Sequence, residues 1–184
     1  MVGLVIYGFG IGLMVRSDLG LNPWQVFHQG VSIQTGLTMG TITIMTGGLV
    51  LVGWIPLGER IGAGTVLNVA TIGPTLDLTL WLVDQPAALW VRVAYLVVGT
   101  VLVGLATGLY VGAGLGPGPR DGLMTGLARK GWSIGWARTA IEVTVLALGW
   151  LLGGTVGLGT VLFALAIGPL TQLFLPRLTI RPTA

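Results

Sequence analysis

Residues 62–78, GAGTVLNVATIGPTLDL, occur again 95 residues later as residues 157–173, GLGTVLFALAIGPLTQL. Nine of the 17 positions are identical, including both early glycines, the Thr-Val-Leu run and the Ile-Gly-Pro run. An apolar chain often matches itself by chance, but rarely with Gly, Thr and Pro all in register. The repeated stretch therefore predicts a duplicated membrane unit.

The region after the first apolar segment also recurs, at an offset of 96 residues. Each repeat then contains one span, one short polar helix and two further spans. We predict a single membrane domain, residues 1–184, with repeat 1 at about 1–84 and repeat 2 at about 87–177. The matched positions are Gly12, Leu13, Val15, Leu19, Gly20, Pro23 and Gly30 with Gly108, Leu109, Val111, Leu115, Gly116, Pro119 and Gly126.

The composition is that of a membrane protein. Of 184 residues, 53% are hydrophobic and 8% are charged, and the mean hydropathy is +0.91. Soluble domains carry about 25% charged residues, so this chain needs lipid as its solvent. The expected fold class is all-α, a polytopic membrane helix bundle of about six transmembrane helices in two inverted three-span repeats, each with a short interfacial or re-entrant helix.

The predicted spans are 2–15, 39–55, 62–83, 87–111, 133–152 and 156–175. The first is short for a span, so either it runs on past Arg16 and Asp18 toward Leu21 or Met1 trims a longer first helix. One short helix follows Asn22-Pro23, and the other lies within 112–135. Pro74 and Pro169 interrupt the last span of each repeat, where proline is tolerated if neighbours satisfy the freed carbonyls. We expect the two Gly-Pro kinks to face each other near the bundle axis.

Charge distribution predicts the orientation. Three crossings per repeat place the start of the second repeat on the opposite side of the membrane, as in many transporters. Cytoplasmic loops carry an excess of Lys and Arg, which predicts a cell-membrane protein with both termini in the cytoplasm. The basic residues are Arg120, Arg129, Lys130 and Arg138 around the loop between spans four and five, and Arg177 and Arg181 in the tail.

Residue counts exclude several functions. The chain has no Cys and one His, which excludes disulfides, thiolate chemistry and a His-rich metal site. It has no hydrolase motif or carboxylate cluster, so we predict no catalytic residue, no cofactor and no enzyme activity. The basic residues are spread along the chain, so we predict no nucleic-acid partner.

Polar residues inside the predicted spans are the candidate site. Ionisable groups at the bilayer centre cost at least about 2.5 kcal/mol each. We expect the candidates to point into a central cavity between spans three, five and six, where they bind substrate or couple protons. Arg138 would neutralise Glu142 there; the alternative is a self-contained i, i+4 ion pair. The candidates are Asn68, Asp77, Arg138, Glu142 and Gln172.

The two repeats differ at these depths. Asn68 aligns with Phe163 and Asp77 aligns with Gln172. Such divergence is expected where a site must differ from its mirror image. Asp77 alternatively reaches water at the outer interface.

Three more residues are predicted loop contacts. Arg120 and Asp121 follow Pro119 at the start of the second short helix. They either cap a cytoplasmic loop helix or contact a gate or substrate. His28 either anchors the first short helix at the interface or titrates near neutral pH.

Four motifs carry a resemblance to a known family: residues 19–32 (LGLNPWQVFHQGVS), 54–60 (WIPLGER), 62–78 and 112–127 (GAGLGPGPRDGLMTGL). The chain resembles the YczE/YyaS/YitT family of bacterial integral membrane proteins over nearly its whole length. The resemblance implies a multi-pass protein of the cytoplasmic membrane, and it implies no substrate or reaction. Trp24-Gln25 stands where the resemblance leads us to expect Trp-Asp.

Two classes of function follow. The inverted repeat, the Gly-Pro kinks and the buried acids favour a small secondary transporter of a small molecule. The alternative is a non-transporting membrane subunit that docks or regulates a partner protein, with many Gly and Trp residues at protein contacts. The expected partners are the lipid bilayer, a small-molecule substrate, and a second copy or another membrane protein.

Overall fold

The computed structural model describes residues 1–179, which form eight α-helices and contain no β-strand. Arg181 of the basic tail lies outside them. The helices are α1 (Val2–Ser17), α2 (Pro23–Thr35), α3 (Met39–Trp54), α4 (Ala63–Leu82), α5 (Leu89–Gly112), α6 (Pro119–Arg129), α7 (Ile134–Leu151) and α8 (Leu158–Leu178).

Helix α1 lies at the centre of the bundle. It packs on α4 and α5, while α5 also packs on α8. The short helices bridge the halves, because α2 packs on α7 and α6 packs on α3. Glycines allow these close approaches: a Cβ on Gly10 would lie 2.9 Å from the carbonyl oxygen of Gly99.

The all-helical bundle predicted from composition is confirmed. In the described chain, α5, α7 and α8 are long and apolar enough to cross a membrane. Helices α2 and α3 together qualify as a fourth, broken or re-entrant span, bent by 115°. Helix α1 has only 16 residues, and α4 carries Asn68, Pro74 and Asp77. The count of six spans and the inverted orientation of the halves stay predictions.

Of the two alternatives for the short first span, the extension toward Leu21 is wrong. Helix α1 ends at Ser17, because Asp18 adopts a left-handed conformation with φ 50°. The chain then turns into α2, whose first residue is Pro23. The Asn22 side chain caps α2 by accepting a hydrogen bond from the backbone N–H of Gln25 at 3.1 Å.

The duplicated Gly-x-Gly stretch docks each half on the other. The Gly64 N–H at the start of α4 donates to the Leu115 carbonyl at 2.8 Å. In the equivalent contact, the Gly159 N–H at the start of α8 donates to the Leu19 carbonyl at 2.7 Å. A Cβ on Gly64 would lie 2.9 Å from that Leu115 oxygen. These positions therefore need glycine, which explains why the motif recurs in both halves.

The halves differ in how their last two helices pack. Thr38 caps α3 and Ser133, 95 residues later, caps α7 in the same way. Helix α3 packs on α4, whereas α7 and α8 of the described chain are not packed on each other.

The surroundings of equivalent glycines show this difference in helix packing. A Cβ on Gly73 would lie 2.5 Å from the carbonyl oxygen of Gly40. At the equivalent Gly135 and Gly168, an added Cβ would have no atom of residues 1–179 within 4 Å. The first half is closed at this contact and the second half is open.

The expected meeting of the two Gly-Pro kinks is wrong. Pro74 and Pro169 both lie inside their helices, and both are exposed on the outer surface of the bundle. Gly73 does face a neighbouring helix, but that neighbour is α3, because the glycine and the proline lie on different sides of α4.

Candidate functional site

The two short helices meet at their first turns. Trp24 and Arg120 each follow the proline that begins a helix, and they are equivalent positions of the two repeats, 96 residues apart. The Arg120 Cζ lies 4.9 Å from the centroid of the Trp24 ring. This cation–π contact holds the positive charge over an aromatic face.

Three further side chains complete this centre. The Tyr110 hydroxyl donates to the Asp121 carboxylate at 2.9 Å, and the Tyr7 and Tyr110 rings pack edge to face at 6.0 Å. We call Tyr7, Trp24, Tyr110, Arg120 and Asp121 the partition. A Cβ on Gly118 would lie within 3.4 Å of Asp121, Tyr110 and the Asn68 amide nitrogen, so glycine lets these groups converge.

The partition lines two cavities. The smaller, of about 70 Å³, is bounded mainly by α2, α3 and α4. The larger, of about 310 Å³, is bounded mainly by α5, α6, α7 and α8. All five partition residues belong to both walls.

The two cavities use equivalent positions of the repeats. Five residues that line the smaller cavity have a counterpart, 95 or 96 positions later in the sequence, that lines the larger cavity. The pairs are His28 and Met124, Thr43 and Arg138, Gly47 and Glu142, Asn68 and Phe163, and Ile72 and Ile167. The cavities are therefore counterparts, one in the closed half and one in the open half.

Arg120 is the cation of the partition. Within residues 1–179 its guanidinium makes no hydrogen bond or ion pair. An arginine remains charged in proteins, so the site holds a positive group whose N–H donors have no hydrogen-bond partner within residues 1–179.

His28 is buried in the smaller cavity wall, with 1% of its surface exposed. The Thr43 hydroxyl donates to the Met39 carbonyl at 2.8 Å, so it accepts from His28 Nδ1 at 3.0 Å. His28 Nε2 is then a buried acceptor with no partner in the described chain. The interfacial anchor expected at His28 is wrong, because α2 packs between α3 and α7.

Arg120 and Asp121 lie in the first turn of α6, which packs on α3 and α7. They lie at the centre because α6 begins inside the bundle, where Trp54 Nε1 donates to the Pro119 carbonyl at 2.9 Å. Their polar character suggested a capped loop helix. In the partition, the Asp121 carboxylate accepts a hydrogen bond from Tyr110, and the Arg120 guanidinium lies over the Trp24 ring. The reading as substrate contacts stays a prediction.

Three of the five predicted span residues lie near the partition. Asn68 lines the smaller cavity, and Arg138 and Glu142 line the larger one. Arg138 Nε lies 3.0 Å from Glu142 Oε1. The i, i+4 ion pair is therefore present, and both of its residues line the larger cavity.

The other two residues lie elsewhere, so their placement in one central cavity is wrong. Asp77 accepts from the Thr38 hydroxyl at 2.5 Å and from the Gly40 N–H at 2.8 Å, which holds α4 to the first turn of α3. A carboxylate is favoured there by the helix dipole. Gln172 is exposed on α8, because α7 is not packed against it.

Tyr7, Trp24 and Tyr110 were missed by sequence reasoning. Aromatic residues in an apolar chain give no distinctive pattern. The one usable signal was the alignment of Trp24 with Arg120, since a large ring opposite a cation in a duplicated unit indicates a shared contact.

The fold and the two cavities define a polytopic helical membrane protein. The chain belongs to DUF6198, described as a family of unknown function, which matches residues 1–176. It is 44% identical over 176 residues to an uncharacterized protein of Haemophilus influenzae, covering 95% of this chain and 81% of that protein.

The predicted resemblance to YczE and YyaS is confirmed. The chain is 36% identical over 179 residues to the uncharacterized membrane protein YczE of Bacillus subtilis, covering 95% of this chain and 83% of that one. It is 28% identical over 183 residues to the uncharacterized protein YyaS of the same organism, covering 95% and 90%. No solved structure matches the chain.

Proposed function

We propose that this protein is a small secondary transporter of the cytoplasmic membrane, with both termini in the cytoplasm. One observation carries the proposal: equivalent helix pairs of the two halves adopt different states. The α3–α4 pair is closed at Gly40 and Gly73, and the α7–α8 pair is open at Gly135 and Gly168. The cavity beside the closed pair is small and its counterpart is large.

This asymmetry supports alternating access. If the halves exchange states, α7 and α8 close through their glycines while α3 and α4 separate. The partition stays between the cavities and faces each in turn. Rocking or gating of one repeat against the other around a fixed central site is the usual mechanism of inverted-repeat transporters.

The hydrogen bonds at the closed α3–α4 pair are compatible with an exchange of closed and open states between the two halves. Asp77 holds α3 with a charged acceptor on a helix N-terminus, whereas the equivalent Gln172 would offer only a neutral amide to Ser133 and Gly135 once α7 closes on α8. Charge-assisted hydrogen bonds are roughly twice as strong as neutral ones. The difference favours the state with α3–α4 closed and leaves the opposite state accessible.

Uptake by proteoliposomes tests the proposal. Purified protein is assayed with four solute classes (organic anions, organic cations, zwitterions and neutral sugars) under an imposed pH gradient. We expect uptake of one class above that of empty liposomes. Gly135→Val or Gly168→Val should fold normally and lose uptake, because a side chain blocks closure of α7 on α8.

Gly48→Val is the matched control. It lies in α3, where an added Cβ would have no atom of the described chain within 4 Å. It should retain uptake. A folded wild type that takes up none of the four classes contradicts the transporter, and a partner protein that co-purifies would then favour the non-transporting subunit.

A further inference from the structure

We infer that Arg120 and Trp24 bind the carboxylate of a small monoanion whose apolar part occupies the larger cavity. The inference rests on the proposed function, but a binding measurement tests it independently of any transport assay. It assigns a class of substrate, small monocarboxylates, to the partition.

Unused hydrogen-bond donors point to an acceptor-rich ligand. The Arg120 guanidinium has five N–H donors and no acceptor among residues 1–179. Trp24 is 6% exposed, and its indole N–H has no partner in that part of the chain. A buried donor left unpaired costs about 1–3 kcal/mol, which a bound acceptor removes.

The helix ends add to this preference. Both short helices begin at the partition, so their N-terminal turns present positive ends of the helix dipole there. Asn22 caps α2, whereas Gly118 gives α6 no side-chain cap. Anions bind at such N-termini, and broken helices of transporters direct them at substrate carboxylates.

The neighbouring charges limit the ligand to one negative charge. Arg120 and Arg138 line the larger cavity together with Asp121 and Glu142, so the formal charges of this wall cancel. A single carboxylate pairs with Arg120, since a planar guanidinium matches it bidentately. The second charge of a dianion would face Asp121 with no free cation to offset it.

The remaining wall favours an apolar substituent. Met124, Phe163 and Ile167 line the larger cavity, which at about 310 Å³ exceeds the space needed for a carboxylate alone. Small-molecule sites commonly combine such apolar walls with a few polar groups that fix orientation. An aromatic or short aliphatic monocarboxylate fits this chemistry.

Calorimetric titration of the purified protein with benzoate tests the inference. Benzamide is the neutral isostere, benzylamine is the cation, and phenylphosphonate, titrated at a pH above its second pKa, is the dianion. We expect benzoate to bind at least about tenfold more tightly than each of the other three, since a charge-assisted hydrogen bond is worth about that factor.

Variants assign the binding to the partition. Arg120→Gln should weaken benzoate binding by about ten- to a hundredfold. Trp24→Phe keeps an aromatic face without the N–H and should weaken it by about three- to tenfold. The control Arg129→Gln removes an exposed arginine that pairs with Glu59 outside both cavities, and it should bind as the wild type does.

Three outcomes overturn the inference: no benzoate binding by folded wild type, equal binding of benzamide, or tighter binding of phenylphosphonate. Unchanged benzoate affinity in both Arg120→Gln and Trp24→Phe also overturns it. If Arg120→Gln does not fold, Trp24→Phe and the four wild-type titrations decide. Uptake of cations, zwitterions or sugars in the liposome assay would still support transport while excluding this substrate class.

Discussion

At the scale of single residues, equivalent positions of the two repeats make different contacts. Asp77 connects α4 to the first turn of α3, while Gln172 lies exposed on α8. The sequence showed that the pair had diverged and suggested a shared binding site. It could not show which helix end the carboxylate would reach, because that contact joins residues 37 and 39 positions apart.

Asp77→Ala should lower the free energy of unfolding by about 1–3 kcal/mol, because it removes two hydrogen bonds and a charge at a helix N-terminus. Gln172→Ala is the matched change and should leave stability within about 0.5 kcal/mol of wild type, as for most surface substitutions. Unfolding of the detergent-solubilised variants measures both. Equal losses at the two positions would contradict the assigned contact.

At the scale of helices, the sequence predicted the elements well. The predicted spans 39–55 and 62–83 correspond to Met39–Trp54 and Ala63–Leu82, since Thr38 and the glycines around residue 62 are recognisable helix starts. The pairing of helices was beyond sequence reasoning. Lipid-facing and protein-facing surfaces are both apolar in this chain, so hydrophobic periodicity carries little information on which helices touch.

The Gly-x-Gly docking of each half on the other provides a test at this scale. Gly64→Ala and Gly159→Ala should each destabilise the protein by about 1–3 kcal/mol, because the new methyl group meets a backbone carbonyl that cannot move freely. Gly48→Ala, in open space, should be neutral or stabilise α3 by up to about 1 kcal/mol. Thermal unfolding compares the three variants, and no loss at positions 64 and 159 would contradict the docking.

At the scale of the whole molecule, most charged residues outside the two cavities lie at two opposite ends. Arg129 pairs with Glu59 at 2.6 Å, which places the loop after α3 beside the end of α6. Arg92 pairs with Asp18 at 3.0 Å, and Gln85 also bonds Asp18, which joins the loop after α4 to the end of α1. The first end also holds Arg60 and Lys130, so its basic residues outnumber its acidic ones.

This distribution predicts the membrane orientation. Reporter fusions after Asp84 and after Lys130 should lie on opposite sides, with Lys130 in the cytoplasm. Alkaline phosphatase and fluorescent-protein fusions at both sites provide the measurement. Reporters on the same side would rule out the inverted arrangement of the two halves.

The central claim is that the two halves exchange closed and open states. Because the chain has no Cys, a single introduced pair reports one contact without background. Thr38 and Asp77 touch in the closed half, at 2.5 Å between side-chain oxygens. Ser133 and Gln172 are their equivalents in the open half.

Disulfide formation in membranes containing Thr38→Cys with Asp77→Cys should therefore be rapid and nearly complete. In Ser133→Cys with Gln172→Cys, exchange predicts a slower disulfide that forms as α7 closes on α8 and that then abolishes uptake. The account is contradicted if the second pair never crosslinks under conditions in which the first pair crosslinks fully, because the open half would then never close.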